Sequence, residues 1–100
     1  MAAYLIMTRI RTDDPARLET YAAIAATAPP GSARLVASTK AGRSRTLEGN
    51  GADAVAIIRF DSWDDAMAWY DSPEYTEARQ HRLASGEFAT VLIEADEPCR

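Results

Sequence analysis

The sequence predicts one α+β domain in which an antiparallel sheet carries two helical crossovers on a single face. Three observations predict it. Residues 54–60 are a run apolar on both faces, and residues 4–10 are so at their N-terminal end, the mark of buried strands. Two stretches with helical apolar spacing, each opened by a capping residue, stand between strand-like runs. The chain has one hundred residues, 47% apolar and 26% charged, which is enough for one core and too little for two.

In residues 4–10, Tyr4, Ile6, Thr8 and Ile10 share one face and Leu5, Met7 and Arg9 the other, so the strand is predicted to be central. Asp13-Asp14-Pro15 then opens a helix, because Asp14 can accept from first-turn amides and Pro15 has no N–H to leave unsatisfied. Leu18, Tyr21, Ala22 and Ala25 form its apolar stripe. The helix is predicted to run to about Ala28, where Pro29-Pro30-Gly31 stops it.

Residues 33–40 read as a second strand and residues 45–48 as a short third piece, joined at Ala41-Gly42. A glycine-rich turn, Gly49-Asn50-Gly51, leads into the buried run 54–60. It is no phosphate-cradling loop, since no Lys-Ser or Lys-Thr follows it into a helix.

Ser62 with Asp65 three residues on resembles a capping box. Ala66, Met67, Trp69 and Tyr70 follow as a bulky inner face, with Trp63 pinning the helix start and Trp69 filling the core. At Asp71-Ser72-Pro73 that helix must end, and Ser72 can cap a second one that runs to about Leu83. Ser85-Gly86 terminates it, and residues 88–94 form the last strand.

The resulting order, β-α-β-β-α-β, is the split-βαβ or ferredoxin-like pattern, an antiparallel sheet with both helices on one face. The other face needs a cover, and in so small a chain a second copy is the expected one, with sheets packed face to face or closed jointly into a barrel. The domain is expected over residues 1–95, with a polar C-terminal tail at 96–100.

A formal charge of −4 argues against a nucleic-acid surface. Arg34, Lys40, Arg43 and Arg45 form a local basic run without interleaved aromatic residues, which reads as a solvated hairpin. The apolar run at residues 2–7 is too short for a signal core or a membrane span. The single cysteine, Cys99, cannot form an intramolecular disulfide and is expected to be exposed. A cytoplasmic protein without nucleic-acid or membrane partners is the expectation.

AYLIM at the start, DPARLETYAAIA in the first helix, LEGN before the buried strand, and RFDSWDDAMAWYDSPEYTEARQHRLAS followed by TVLIEAD together resemble the uncharacterised family called domain of unknown function 1330. YDSPEY, residues 70–75, is the most specific part. The resemblance implies a dimeric α+β barrel. Proteins with that barrel include cofactor-free monooxygenases, muconolactone isomerases, chlorite-dismutase-like haem proteins and stress proteins, so the fold does not choose a reaction. The family's recurrent positions fall on Tyr4, Tyr21, Gly49, Tyr70, Ser72, Pro73, Tyr75, Arg82 and Ser85. Where many members carry Arg-Gly-Gly, this chain reads Ala37-Ser38-Thr39, so a ligand role tied to that arginine does not carry over.

Tyr75, Arg79 and Arg82 share one helical face. If that face meets the sheet, a phenol and a guanidinium converge on a cavity suited to an anionic or phenolic small molecule. Tyr21 would line it from the first helix, and Arg59 or Arg9 from the sheet. The alternative is that Arg79 and Arg82 pair with Glu74, Glu77 or a dimer partner's carboxylate, and that Tyr21 is core. His81, the only side chain that ordinarily titrates near neutrality, is the default acid or base, although it lies opposite Tyr75 and Arg79 on the helical wheel. No second His or Cys lies at metal-ligand spacing from it, so neither a metal nor a cofactor is expected.

Two functions follow from these residues. One is a homodimeric small-molecule-binding protein, or a cofactor-independent enzyme acting on a small aromatic or polyketide-like substrate. The other is a non-catalytic ligand-sensing or protein-interaction module. No catalytic residue is assigned.

Overall fold

The computed structural model of the chain describes residues 1–96, so the expectations for Cys99 and for most of the C-terminal tail lie outside the described residues. The elements are β1 (Ala3–Thr12), α1 (Pro15–Ala25), β2 (Arg34–Ser38), β3 (Ala54–Phe60), α2 (Trp63–Tyr70), α3 (Pro73–Ser85) and β4 (Gly86–Glu94). The four strands form one sheet in the order β2-β3-β1-β4, every neighbouring pair antiparallel. This is the ferredoxin-like α+β fold.

Local chemistry explains the helix starts. Asp14 accepts from the Arg17 amide, Ser62 from Asp65 and Ser72 from Tyr75, each closing a first-turn donor that the helix itself cannot satisfy. Ser72 also donates its hydroxyl to the Trp69 carbonyl at 2.8 Å, so one side chain ends α2 and begins α3. The break at Pro73 follows, and the two helices act as one bent crossover.

The register sets the two sheet faces. Leu5 opposes Ile58 and Leu92, Met7 opposes Ala56 and Thr90, and Arg9 opposes Ala54 and Phe88. Period-two alternation puts these side chains on the helix-covered side. Ala3, Leu5 and Phe60 are buried there with Ala66 of α2, and Trp69 and Tyr70 pack against them. A second cluster, Tyr75 and Ala78 with Ala28, joins α3 to α1, with Tyr21, Ile24 and Ala25 packed on it.

The opposite face carries Tyr4, Ile6, Val55, Ile57, Val91 and Ile93. Among the described residues no helix covers it, and Val91 and Ile93 stay half exposed.

Three expectations need correction. Residues 45–48 form no strand: residues 39–53 are an irregular exposed connection, because the exposed Arg43, Arg45 and Glu48 give that segment no apolar face to bury, and β2 pairs directly with β3. Helix α1 ends at Ala25, a turn early, since the chain must already swing toward Pro29. Trp63 is 43% exposed; it opens α2 from the surface, while Trp69 fills the core with its ring centroid 4.1 Å from Tyr75 and 5.7 Å from Phe60.

The last helix passes into the last strand without a loop. The Ser85 carbonyl accepts the amides of Asp13 at 2.7 Å and Asp14 at 2.9 Å, tying the end of α3 to the β1–α1 junction. Gly86 is needed at this crossing, because a side-chain carbon there would collide with the Arg11 carbonyl oxygen.

Candidate functional site

Between α1, α3 and the inner sheet face lies a cleft of about 650 Å³, within the usual range for small-molecule sites. Its walls are largely aliphatic and aromatic, with Leu18 from α1, Leu35 from β2, Ile58 from β3 and Phe88 from β4. Lys40, Ser44 and Asp53 come to it from the 39–53 connection. Two arginines reach its interior, Arg9 from β1 and Arg82 from α3.

The buried stripe of α3 is Tyr75, Ala78, Arg82 and Ser85, at successive spacings of three, four and three. A helix buries such a row against its neighbours, and here one of its members is a guanidinium only 2% exposed. Arg82 Nη1 donates to Thr90 Oγ1 at 3.0 Å, and its Cζ stands 5.1 Å from the Phe88 ring centroid and 5.9 Å from that of Tyr21. These contacts orient the group without neutralising it. Its Nε is buried and has no hydrogen-bond partner among the described residues, and the same is true of Arg9 Nε. Among the described residues no carboxylate lies within ion-pair distance of either arginine. Arginine does not shed its proton to relieve such a situation, so two cations without an ion-pair partner among the described residues, Arg82 buried and Arg9 half-buried, face the cleft.

Tyr21 stands beside Arg82. Its hydroxyl is 3.0 Å from that of Tyr75, and the two rings meet edge to face at 6.0 Å. Either hydroxyl can donate; with Tyr75 donating, the Tyr21 hydrogen is free for the cleft. Burial, reinforced by the Tyr21 phenol, pushes Tyr75 far above the ordinary phenol range. Tyr21 is also raised, chiefly by burial, with the Tyr75 hydrogen bond and Arg82 pulling part of the way back. Both phenols are therefore neutral near pH 7, and Tyr21 offers the cleft a hydroxyl rather than a base.

The residues singled out from sequence divide clearly. Tyr21 and Arg82 line the cleft together. Tyr75, fully buried, stands behind Tyr21 and reaches the cleft only through that hydroxyl. Arg79 lies just off the buried stripe, its Cζ 4.3 Å from the Tyr70 ring centroid. Arg59 projects from the opposite sheet face, because Ile58 takes the inward position, and it pairs with Asp61 at 2.9 Å. His81 Nδ1 accepts from Arg17 Nε at 2.9 Å, away from the cleft.

Phe88 and Thr90 had no motif to announce them, and Lys40 stood out only as part of a basic run that reads as a solvated hairpin. The inward alternation Leu5-Met7-Arg9 did hold a signal for Arg9, since a charge ending an apolar inner row needs a reason. Among the described residues there is no group of three His, Cys, Asp or Glu side chains able to hold a metal, and no helix is long and apolar enough to cross a membrane.

Comparison with known proteins adds family and fold. A family model described as Domain of unknown function (DUF1330) matches residues 2–96. No curated protein matches the chain. Among solved structures, a protein of unknown function from Rhodopseudomonas palustris is similar at 21% identity and TM-score 0.66, covering 97% of this chain and 84% of that one. A dimeric ferredoxin-like protein of unknown function from Thermobifida fusca is similar at 16% identity and TM-score 0.63, over 95% and 92% of the two chains. SnoaB, a cofactor-independent oxygenase from Streptomyces nogalater, is similar at 16% identity and TM-score 0.54, over 96% and 93%. At these identities the likeness is one of fold.

Proposed function

The chain belongs to the family described as Domain of unknown function (DUF1330), and from that premise we propose that it is a homodimeric protein that binds a small organic anion in the cleft between its helices and its sheet. The observation that carries this reading is the pair of buried guanidinium Nε–H groups of Arg9 and Arg82, unpartnered among the described residues, in a largely apolar cleft. A buried cation without a counter-charge is costly, and a bound anion is the simplest compensation. A guanidinium recognises a carboxylate or enolate with directed, charge-assisted donors, while the Leu18, Leu35 and Ile58 walls suit an apolar or aromatic body.

Dimerisation is supported by the uncovered apolar sheet face and by dimeric proteins of the same fold. The folded unit is taken as a single domain over residues 1–95.

A catalytic extension has one observation in its favour. Two guanidiniums and a neutral phenol would stabilise a negative charge developing on a small aromatic or polyketide-like substrate, as fixed donors do in oxyanion sites. Chemistry of that kind would be cofactor-independent, as in the oxygenase of similar fold. The non-catalytic alternative, a ligand-sensing module, uses the same cleft and stops at binding.

The test is a thermal-shift series with benzoate, phenol and neutral benzamide on the wild type, Arg82→Ala and Arg79→Ala. Benzoate is expected to stabilise the wild type and Arg79→Ala, with no shift for Arg82→Ala or for benzamide. Equal benzoate shifts in the wild type and Arg82→Ala would remove Arg82 from the site and sink the reading.

A further inference from the structure

The cleft carries two positive charges, Arg9 and Arg82, each with a buried Nε donor that nothing among the described residues accepts. Lys40 and Asp53 also line it, one positive and one negative, with the Asp53 amide donating to the Arg9 carbonyl at 2.8 Å. A single carboxylate bound inside would therefore leave one guanidinium charge uncompensated. The two arginines also converge on one side chain: Arg9 sits directly across the β1–β4 pair from Phe88, and Arg82 Cζ is 5.1 Å from the Phe88 ring. Directly opposed cross-strand positions lie about 5 Å apart at Cβ. Both arginines are thus anchored beside Phe88, Arg82 by its guanidinium and Arg9 by its place in the strand pair.

Resting on the anion-cleft reading, we propose that the ligand carries two acidic groups on neighbouring carbons of a flat apolar body, one for each arginine. This is the pattern of an aromatic 1,2-dicarboxylate or of an acid with an adjacent enolic oxygen. The neutral Tyr21 hydroxyl supplies a further donor to the same head, and the ring faces Leu18, Leu35 and Ile58. The specificity lies in spacing as well as charge, because a second acid placed across the ring would point at the aliphatic walls.

Titration calorimetry on the full chain at pH 7 and low salt, with benzoate, phthalate, terephthalate and phenyl phosphate, tests this. Phthalate is expected to bind at least tenfold more tightly than benzoate, and terephthalate no more tightly than benzoate. Arg9→Gln should weaken phthalate more than benzoate and so erase the phthalate advantage, and Arg9→Lys, which keeps the charge if the glutamine variant folds poorly, should preserve part of it. Benzoate binding that depends on Arg82, with phthalate no tighter, overturns the two-acid proposal and leaves the anion cleft standing. Phenyl phosphate binding more tightly than phthalate also overturns it, in favour of one compact dianion. If none of the four binds, both the cleft reading and this inference fall.

Discussion

Replacing Arg82 by methionine should separate a guanidinium kept for a ligand from one kept for the fold. The substitution removes the 3.0 Å bond to Thr90 Oγ1 and the contact with the Phe88 ring. A hydrogen bond with a charged partner is worth roughly 1.5–3 kcal/mol and a cation–π contact about 0.5–2 kcal/mol. On the other side, it abolishes a buried donor without an acceptor, worth about 1–3 kcal/mol, together with the cost of holding an unpaired cation out of water. Methionine keeps the apolar stem packed. The two sides nearly cancel, so urea unfolding followed by circular dichroism should find the variant within about 2 kcal/mol of wild type. Removing one member of a compensated buried pair would instead cost about 3–5 kcal/mol. A loss of that size in ligand-free protein would refute the argument, because it would mean that the fold itself neutralises Arg82.

Tyr75→Phe removes one hydroxyl bond and keeps the ring contacts with Trp69, Tyr70 and Tyr21; the expected loss is about 1 kcal/mol, a fall in Tm of roughly 4–8 °C by calorimetry. Because the Tyr21 and Tyr75 phenols are both raised above their ordinary value of 10.0, their contribution to stability is complete below pH 10 and lost as pH climbs beyond it. Absorbance at 295 nm should therefore show these two phenols ionising only together with alkaline unfolding; early ionisation without unfolding would contradict their burial. Gly86→Ala forces a methyl against the Arg11 carbonyl and should cost about 1–3 kcal/mol, whereas Gly31→Ala meets no neighbouring atom within 4 Å, so that any loss there reflects only its positive φ. For the dimer, light scattering should give twice the 10.9 kDa of one chain for wild type, and Val91→Glu, which puts a charge on the uncovered sheet face, should give the single-chain mass. A wild-type mass of one chain would refute sheet pairing.

Much of the architecture was legible because its causes are short-range. Asp14-Pro15, Ser62 with Asp65, and Ser72-Pro73 announce three helix starts through side-chain to amide bonds that span three residues. The alternation in residues 4–10 told the two faces of β1 apart, since the period of a strand is two. Residues 45–48 misled because an Arg-Thr-Leu-Glu run is strand-compatible by composition, yet it lacks an apolar face to dock on a sheet edge.

The site was legible in part. Helical spacing drew Tyr75 and Arg82 onto one face, but it also admitted Arg79, which lies just beyond the buried row and rests on Tyr70. Arg59 looked as available as Arg9, and only the register separates them: with Ile58 turned inward against Leu5, position 59 must face away from the helices.

What the sequence by itself determined, then, is the order of elements, the bend at Asp71-Ser72-Pro73, and a polar row on an otherwise packed helix, all set by bonds between residues a few positions apart. The tertiary structure alone decided that Arg9 and Arg82 face one cleft beside Phe88 with no carboxylate within ion-pair distance of either among the described residues. That meeting depends on the antiparallel register of β1 with β4 and on the path of α3 over the sheet. Both are set by the packing of the whole core, which no local stretch of the chain encodes.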